Sequence, residues 1–337
     1  MNLGRGELKR RSLTRKRICR RAGLVLVGIL LALLLDIWLY PRFVQPSGRV
    51  VNRRENGLWL RYTWAFGVRK PEEYPALAAR FERHGIRDAF FHVRNIDRYG
   101  KLVHRRPKET QALNRELKRQ APRVRRIAWI YAGNRQGQGL VDLSLPKTRR
   151  AMVAEAAGLV RELGFDGVQW DYEICNDRDP NLLLLLEETR KALPKGAFLG
   201  AAVPTWYPPP IGAVGWSAAY FGEVAKRCDS LAVMAYDSGL YSPRAYVWWV
   251  SEQVVRITRA VAEANPDCRV LMGVPTYKES TRSHRSNVET LRLALLGVRN
   301  GLASGADLSV WQGVCPFADY TTEEADWREF DRLWPKE

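Results

Sequence analysis

Cysteine and histidine are both scarce in this 337-residue chain, with five of the first and four of the second. Cys19, Cys175, Cys228, Cys268 and Cys315 form no Cys-x-x-Cys pair and the histidines are scattered, so their spacing offers no metal-ligand cluster. No metal and no cofactor are expected. The three glycines between Gly133 and Gly139 lack a following Gly-Lys-Ser/Thr, and no glycine-rich turn follows the first apolar strand. No phosphate loop is expected. The chain also lacks low-complexity stretches, and it has one long hydrophobic run, residues 22–40, in which Asp36 is the sole charge.

The formal charge of +18 suggests nucleic acid, but its distribution does not. Residues 1–21 hold nine Lys or Arg against Glu7, a net of +8, and the remaining +10 is scattered among many acids. No nucleic-acid stripe forms. As a helix, residues 22–40 would rise about 28 Å, close to the hydrocarbon thickness of a bilayer. The basic flank before them and Trp38 and Tyr40 at the far end fit a single-pass signal anchor with a cytoplasmic N-terminus. A cleaved signal peptide would have a shorter apolar centre and small residues before the cut; here Asp-Ile-Trp-Leu-Tyr-Pro follows. Residues 1–21 are then a basic cytoplasmic arm carrying Cys19. Residues 41–56 read as a polar linker reaching at most roughly 50 Å, and residues 57–337 as one extracytoplasmic domain. There the other four cysteines are either disulfide-bonded or buried free thiols.

From residue 57 onward, strand and helix patterns alternate. Strands are expected at 57–66, 88–94, 127–131, 165–173, 198–203, 230–236, 270–277 and 308–311, each followed by a helical stretch. Parallel strands need such crossovers, and eight of them close a (β/α)8 TIM barrel. Runs such as Leu231-Ala-Val-Met234 lack polar alternation, as strands buried on both faces do. An open doubly wound sheet would call for the glycine-rich turn that is missing.

The fourth strand, Phe-Asp-Gly-Val-Gln-Trp-Asp-Tyr-Glu, puts Gln169, Asp171 and Glu173 at every second position. They share one face. Burying two carboxylates requires either arginine partners or a wet, functional cleft. Barrel function sits at the C-terminal strand ends, and the expected ends carry Trp64 and Phe66, His92 and Arg94, Tyr131 and Asn134, then Asp171 and Glu173. Thr205, Trp206 and Tyr207 follow strand five, Tyr236 and Asp237 end strand six, Tyr277 ends strand seven, and Trp311 ends strand eight. Flat aromatic faces ringed by polar groups suit a sugar. Residues 133–139 read as a mobile loop, and the prolines at 208–210 as a stiffener of the rim.

Asp166-Gly-Val-Gln169-Trp-Asp171-Tyr-Glu173 resembles the Asp-x-x-Asp-x-Asp-x-Glu signature of glycoside hydrolase family 18, the chitinases and their relatives. Met234-Ala-Tyr236-Asp237 is similar to that family's strand-six motif, Gly273-Val-Pro-Thr-Tyr277 to its strand seven, and Trp311 to its strand-eight tryptophan. Two departures stand out. Gln169 replaces the middle Asp, and Ile130-Tyr-Ala-Gly133 stands where the family shows Ser-x-Gly-Gly.

The resemblance implies a retaining, substrate-assisted mechanism on an N-acetylated amino sugar. Glu173 would be the general acid, while Asp171 orients the substrate's acetamido group, whose oxygen attacks the anomeric carbon. Tyr236 and Asp237 would complete the acetamido cradle, Trp311 would floor it, and Gln169, Tyr277, Trp64, Trp206 and Tyr207 would line the substrate path. Gln169 can hydrogen-bond but cannot share a proton with Asp171. Asp166, of opposite parity, is expected to be structural. The expected partner is a chitin-like, cell-wall or capsular glycan containing N-acetylglucosamine. The alternatives are a lectin-like, non-catalytic relative and a distant barrel hydrolase of another amino-sugar polymer such as peptidoglycan.

Overall fold

The computed structural model describes residues 3–208 and 215–336, so Pro209 and Pro210 of the proline run lie outside the described residues. A 41-residue helix, α1 (Leu3–Phe43), comes first. Then β1 (Asn56–Leu60), α2 (Tyr62–Ala65), α3 (Tyr74–Arg83), β2 (Ile86–Asn95), α4 (Pro107–Gln120), β3 (Arg125–Gly133) and α5 (Pro146–Arg161) follow. The second half runs β4 (Gly167–Glu173), α6 (Pro180–Ala192), β5 (Phe198–Val203), α7 (Ala218–Ala225), β6 (Ser230–Val233) and α8 (Pro243–Ala264). It ends with β7 (Arg269–Pro275), α9 (Leu291–Ala303), β8 (Trp311–Phe317) and α10 (Glu324–Leu333).

Local chemistry sets many of the helix starts. Proline opens α4, α5, α6 and α8, where its missing N–H costs nothing. Asp179, Ser217, Ser242 and Thr290 cap α6, α7, α8 and α9 by accepting a backbone N–H of the first turn. The strands pair in sequence order, all parallel, in a nearly closed eight-stranded barrel. The last strand returns beside the first: Val314 N donates to Asn56 Oδ1 at 3.1 Å and Asp319 N to Trp59 O at 2.9 Å. Two apolar layers result. Outward residues such as Val168, Trp170, Leu199, Leu231 and Met272 pack under the helices, while Trp59, Phe90, Ile127, Trp129, Phe198 and Leu271 fill the interior.

The first and last strands differ most from the sequence expectation. The first strand stops at Leu60 because Asp319 captures the chain, accepting from Arg61 N at 3.0 Å and Trp64 Nε1 at 2.6 Å, and Tyr62–Ala65 winds into a helical turn. The last strand begins at Trp311 instead of ending there.

Of α1, Arg20–Phe43 is long and apolar enough to cross a membrane, and its composition suits an anchor or a signal sequence. Its one acid is paired. Arg244, at the start of α8, grips Asp36 through Nε and Nη2 at 2.8–3.0 Å and lies 4.1 Å over the Tyr40 ring. Residues 44–55 are not a free tether. Arg292 holds Val44 O at 2.7 Å, Arg49 N bonds Arg299 O at 3.0 Å, and Val51 and Asn52 are buried. An extended polar segment saves its backbone groups by pairing them with neighbouring helices, which sequence periodicity does not reveal.

Candidate active site

On β4 the expected parity holds. Trp170 points outward and donates to Thr189 Oγ1 on α6 at 3.0 Å, whereas Gln169 and Asp171 are buried on the interior side and Glu173 is half-buried at the strand's end. Two indoles fix the first two. Trp59 Nε1 donates to Gln169 Oε1 at 3.0 Å, and Trp129 Nε1 donates to Asp171 Oδ2 at 2.8 Å. An indole N–H can only donate, so the carbonyl end of Gln169 faces Trp59. Asp171 Oδ1 is buried without a partner among the described residues. Among the described residues, no Lys or Arg forms a salt bridge with Asp171 or Glu173, which removes the arginine-pairing alternative.

Burial raises the proton affinity of this cluster. The Asp171 carboxyl is pushed well above the usual carboxylate range by burial and by the Glu173 charge, with the Trp129 hydrogen bond opposing. Glu173 is raised by burial and by the charge of Asp237. Tyr236 is kept a neutral phenol by burial and by the negative groups around it, and Tyr131 is pushed up to about 12 by burial and by Glu173 and Asp171. The mouth therefore gathers protonatable carboxyls and phenolic donors side by side.

The wall beside them is aromatic. Tyr236 stacks on Phe317 at 4.9 Å between centroids and meets Tyr277 edge-on at 6.1 Å, with Trp59 at 6.2 Å and Trp129 behind Phe317 at 6.1 Å. Asp237, at φ 60°, accepts from the Tyr277 hydroxyl. Trp59, Trp129 and Phe317 escaped the sequence-based site. The first two sit mid-strand in apolar runs that read as core, and Phe317 lies six residues past the tryptophan expected there.

Three expected contacts lie elsewhere. Trp311 opens β8 and is completely buried, its Nε1 bonded to Val51 O at 3.0 Å and its ring against Trp334. A register shift between Trp311 and Gly313 turns it outward and leaves Cys315 and Phe317 facing in, so Phe317 occupies the strand-eight end. Trp64 is tied to Asp319 and packs against Tyr74. Trp206 is buried against α8, its backbone held on both sides by Gln253 at 2.7 Å and its ring 4.1 Å beneath Arg256. Tyr207 is half-buried against Trp249.

The loop after β3, expected to be mobile, is bolted to the acid. Asn134 N donates to Glu173 O at 2.7 Å, Asn134 Nδ2 to Ile174 O at 2.8 Å, and Asn134 Oδ1 accepts from the N–H groups of Ile174, Gln136 and Gly137 at 3.0–3.1 Å. A Cβ on Gly137 would fall 2.0 Å from Glu173 O, which explains the glycine. Asp166 binds Arg126 at the opposite end of the strand, a structural role as expected. Cys175, Cys228, Cys268 and Cys315 are free buried thiols.

Paired carboxyls at the end of strand four in a (β/α)8 barrel coincide with a family-level match: the model of glycosyl hydrolases family 18 covers residues 84–331. The chain belongs to glycosyl hydrolase family 18. Solved structures with this family 18 fold include the spore cortex-lytic enzyme SleL of Bacillus cereus, at 13% identity and TM-score 0.56, covering 85% of this chain and 74% of that one. A chitinase from Chromobacterium violaceum has 14% identity and TM-score 0.55 over 84% of this chain and 100% of that one. The Group IV chitinase of Ostrinia furnacalis has 15% identity and TM-score 0.51 over 84% and 100%. At such identities the likeness establishes the family 18 fold. No curated protein sequence matches the chain.

Proposed function

We propose that this family 18 domain is a retaining, substrate-assisted glycoside hydrolase acting on a glycan that contains N-acetylglucosamine. The observation that carries this is Asp171, buried, and Glu173, half-buried, together on the interior side of β4, without a cationic partner among the described residues and both raised in proton affinity. Glu173 remains protonated closer to neutral pH than an ordinary glutamate and gives its proton to the leaving glycosidic oxygen. Asp171 Oδ1, which has no partner among the described residues, accepts the acetamido N–H, while Trp129 holds Oδ2. So oriented, the acetamido oxygen attacks the anomeric carbon as the C–O bond breaks, and the oxazolinium ion is then opened by water. Tyr236 donates to the acetamido oxygen, and Asp237 with Tyr277 bounds the pocket. Phe317, at the strand-eight end, supports the apolar sugar face in the role first expected of Trp311.

Gln169 changes how Asp171 is controlled. Being an amide fixed by Trp59, it contributes no second negative charge, and Asp171 responds to burial, Glu173 and Trp129 instead. The acetamido requirement admits chitin-like chains and peptidoglycan, which both supply the group. Residues 22–40 serve as a membrane anchor in this proposal, with the N-terminal arm cytoplasmic and the barrel outside. Incubation with chitooligosaccharides, peptidoglycan and partly acetylated glucosaminoglycans, followed by mass spectrometry, tests it. Cleavage by wild type and a loss of about 10²- to 10⁴-fold in Glu173→Gln are expected. Binding without products from any of these glycans would instead identify a lectin-like protein.

A further inference from the structure

Sequence spacing offers no metal site, yet the fold brings Asp237 after β6, His284 between β7 and α9, and Glu289 before α9 to one point. His284 is completely buried and, among the described residues, neither ring nitrogen has a hydrogen-bond partner. An imidazole buried in that way is costly unless something engages it. Its Nδ1 lies 3.4 Å from Glu289 Oε2 and 3.6 Å from Asp237 Oδ1, and ligand atoms of all three residues lie within 4.8 Å of one another. Neither approach is a hydrogen bond. Both are near the edge of a coordination tetrahedron, since ligands held about 2.0–2.1 Å from zinc stand about 3.3 Å apart. We propose that Asp237, His284 and Glu289 bind a divalent transition-metal ion of the zinc class.

The surroundings are those of an oriented ligand set. Glu289 is held by the backbone N–H groups of Ser238, Gly239 and Arg285 at 3.0, 3.1 and 3.2 Å. Tyr277 donates to Asp237 Oδ1 and covers the His284 ring at 4.1 Å. Such contacts fix the direction of first ligands and strengthen a site. A dication balances two carboxylates, and one nitrogen with two oxygens suits zinc or manganese over thiolate-seeking metals. Asp237, whose side chain is 45% exposed, is the open corner through which the ion and a fourth ligand enter. Because Asp237 also bounds the proposed sugar pocket, an ion there competes with the substrate.

Calorimetric titration of the untagged, chelator-stripped full-length protein in detergent with zinc chloride tests the site. One bound equivalent is expected for wild type, with affinity falling at least about tenfold in both His284→Gln and Asp237→Asn. Zinc should also raise the melting temperature of wild type and leave His284→Gln unchanged. Asp237→Asn alters a partly exposed side chain, so it remains informative if the buried histidine variant misfolds. The proposal is overturned if wild type binds neither zinc nor manganese stoichiometrically, or if Asp237→Asn binds as tightly as wild type. The readout needs no substrate, so a failed hydrolase assay leaves it standing.

Discussion

Trp129 on β3 donates its indole N–H to Asp171 Oδ2 on β4 at 2.8 Å, holding one oxygen of the carboxyl while the other has no partner among the described residues. Trp129→Phe keeps an aromatic ring on β3 and removes the donor. The Asp171 proton affinity, which this bond lowers, should rise further, moving the acid limb of the kcat profile to higher pH. A hydrogen bond to a charged group contributes about 1.5–3 kcal/mol, so kcat/KM should fall about 10- to 100-fold. An unshifted acid limb would remove Trp129 from this role.

Burial holds Asp171, Glu173 and Asp237 above the ordinary carboxylate range, so the folded protein binds these protons more tightly than the unfolded chain does. Their stabilising contribution is complete below the unfolded values, near about pH 4, and is lost as pH rises through the folded values. Asp171→Asn retains an acceptor for Trp129 and cannot ionise. Its melting temperature should exceed that of wild type at pH 7, by about 2–4 °C for each kcal/mol recovered, with the gap closing toward pH 4. Parallel melting curves across that range would contradict the cost assigned to the charge.

Gln169→Asp places a second carboxyl beside Asp171 under the same indole clamp. The new acid is buried and faces like charge, so the variant should melt below wild type at pH 7 and approach it as pH falls. Differential scanning calorimetry at several pH values decides this; a pH-independent difference would mean that packing, not charge, dominates.

Asn134 spans the β3 loop and the residues at the Glu173 end of β4. Asn134→Ala leaves Ile174 N–H and O without these partners, at a cost of about 1–3 kcal/mol. Hydrogen exchange should quicken in residues 133–141 and activity should fall, with far strands unchanged. Gly137→Ala, whose Cβ would meet Glu173 O at 2.0 Å, should reduce activity in the same way. Wild-type exchange in both variants would return this segment to the status of a free loop.

Trp311 and Phe317 separate core from site. Trp311→Ala should cost about 3–5 kcal/mol of stability, the range for a large buried aromatic. Phe317→Ala, half-buried at the mouth, should chiefly raise KM for a chitooligosaccharide with a smaller drop in melting temperature. The reverse pattern would restore Trp311 to the sugar platform.

The alternation of strand and helix patterns and the two-residue period of β4 are local features, and they were enough for the barrel and for Gln169, Asp171 and Glu173 on one inner face. The segment 22–40 was equally plain, because an apolar run of that length needs no partner to be recognised. Long-range pairing is different. The register shift that turns Trp311 outward, the indole clamps on Gln169 and Asp171, the grip of Arg244 on Asp36, and the meeting of Asp237 with His284 and Glu289 each join residues from separate elements. Period and composition describe one element at a time. Which side chains share a few ångströms across elements is set by strand register and helix packing, and only the folded barrel decides that.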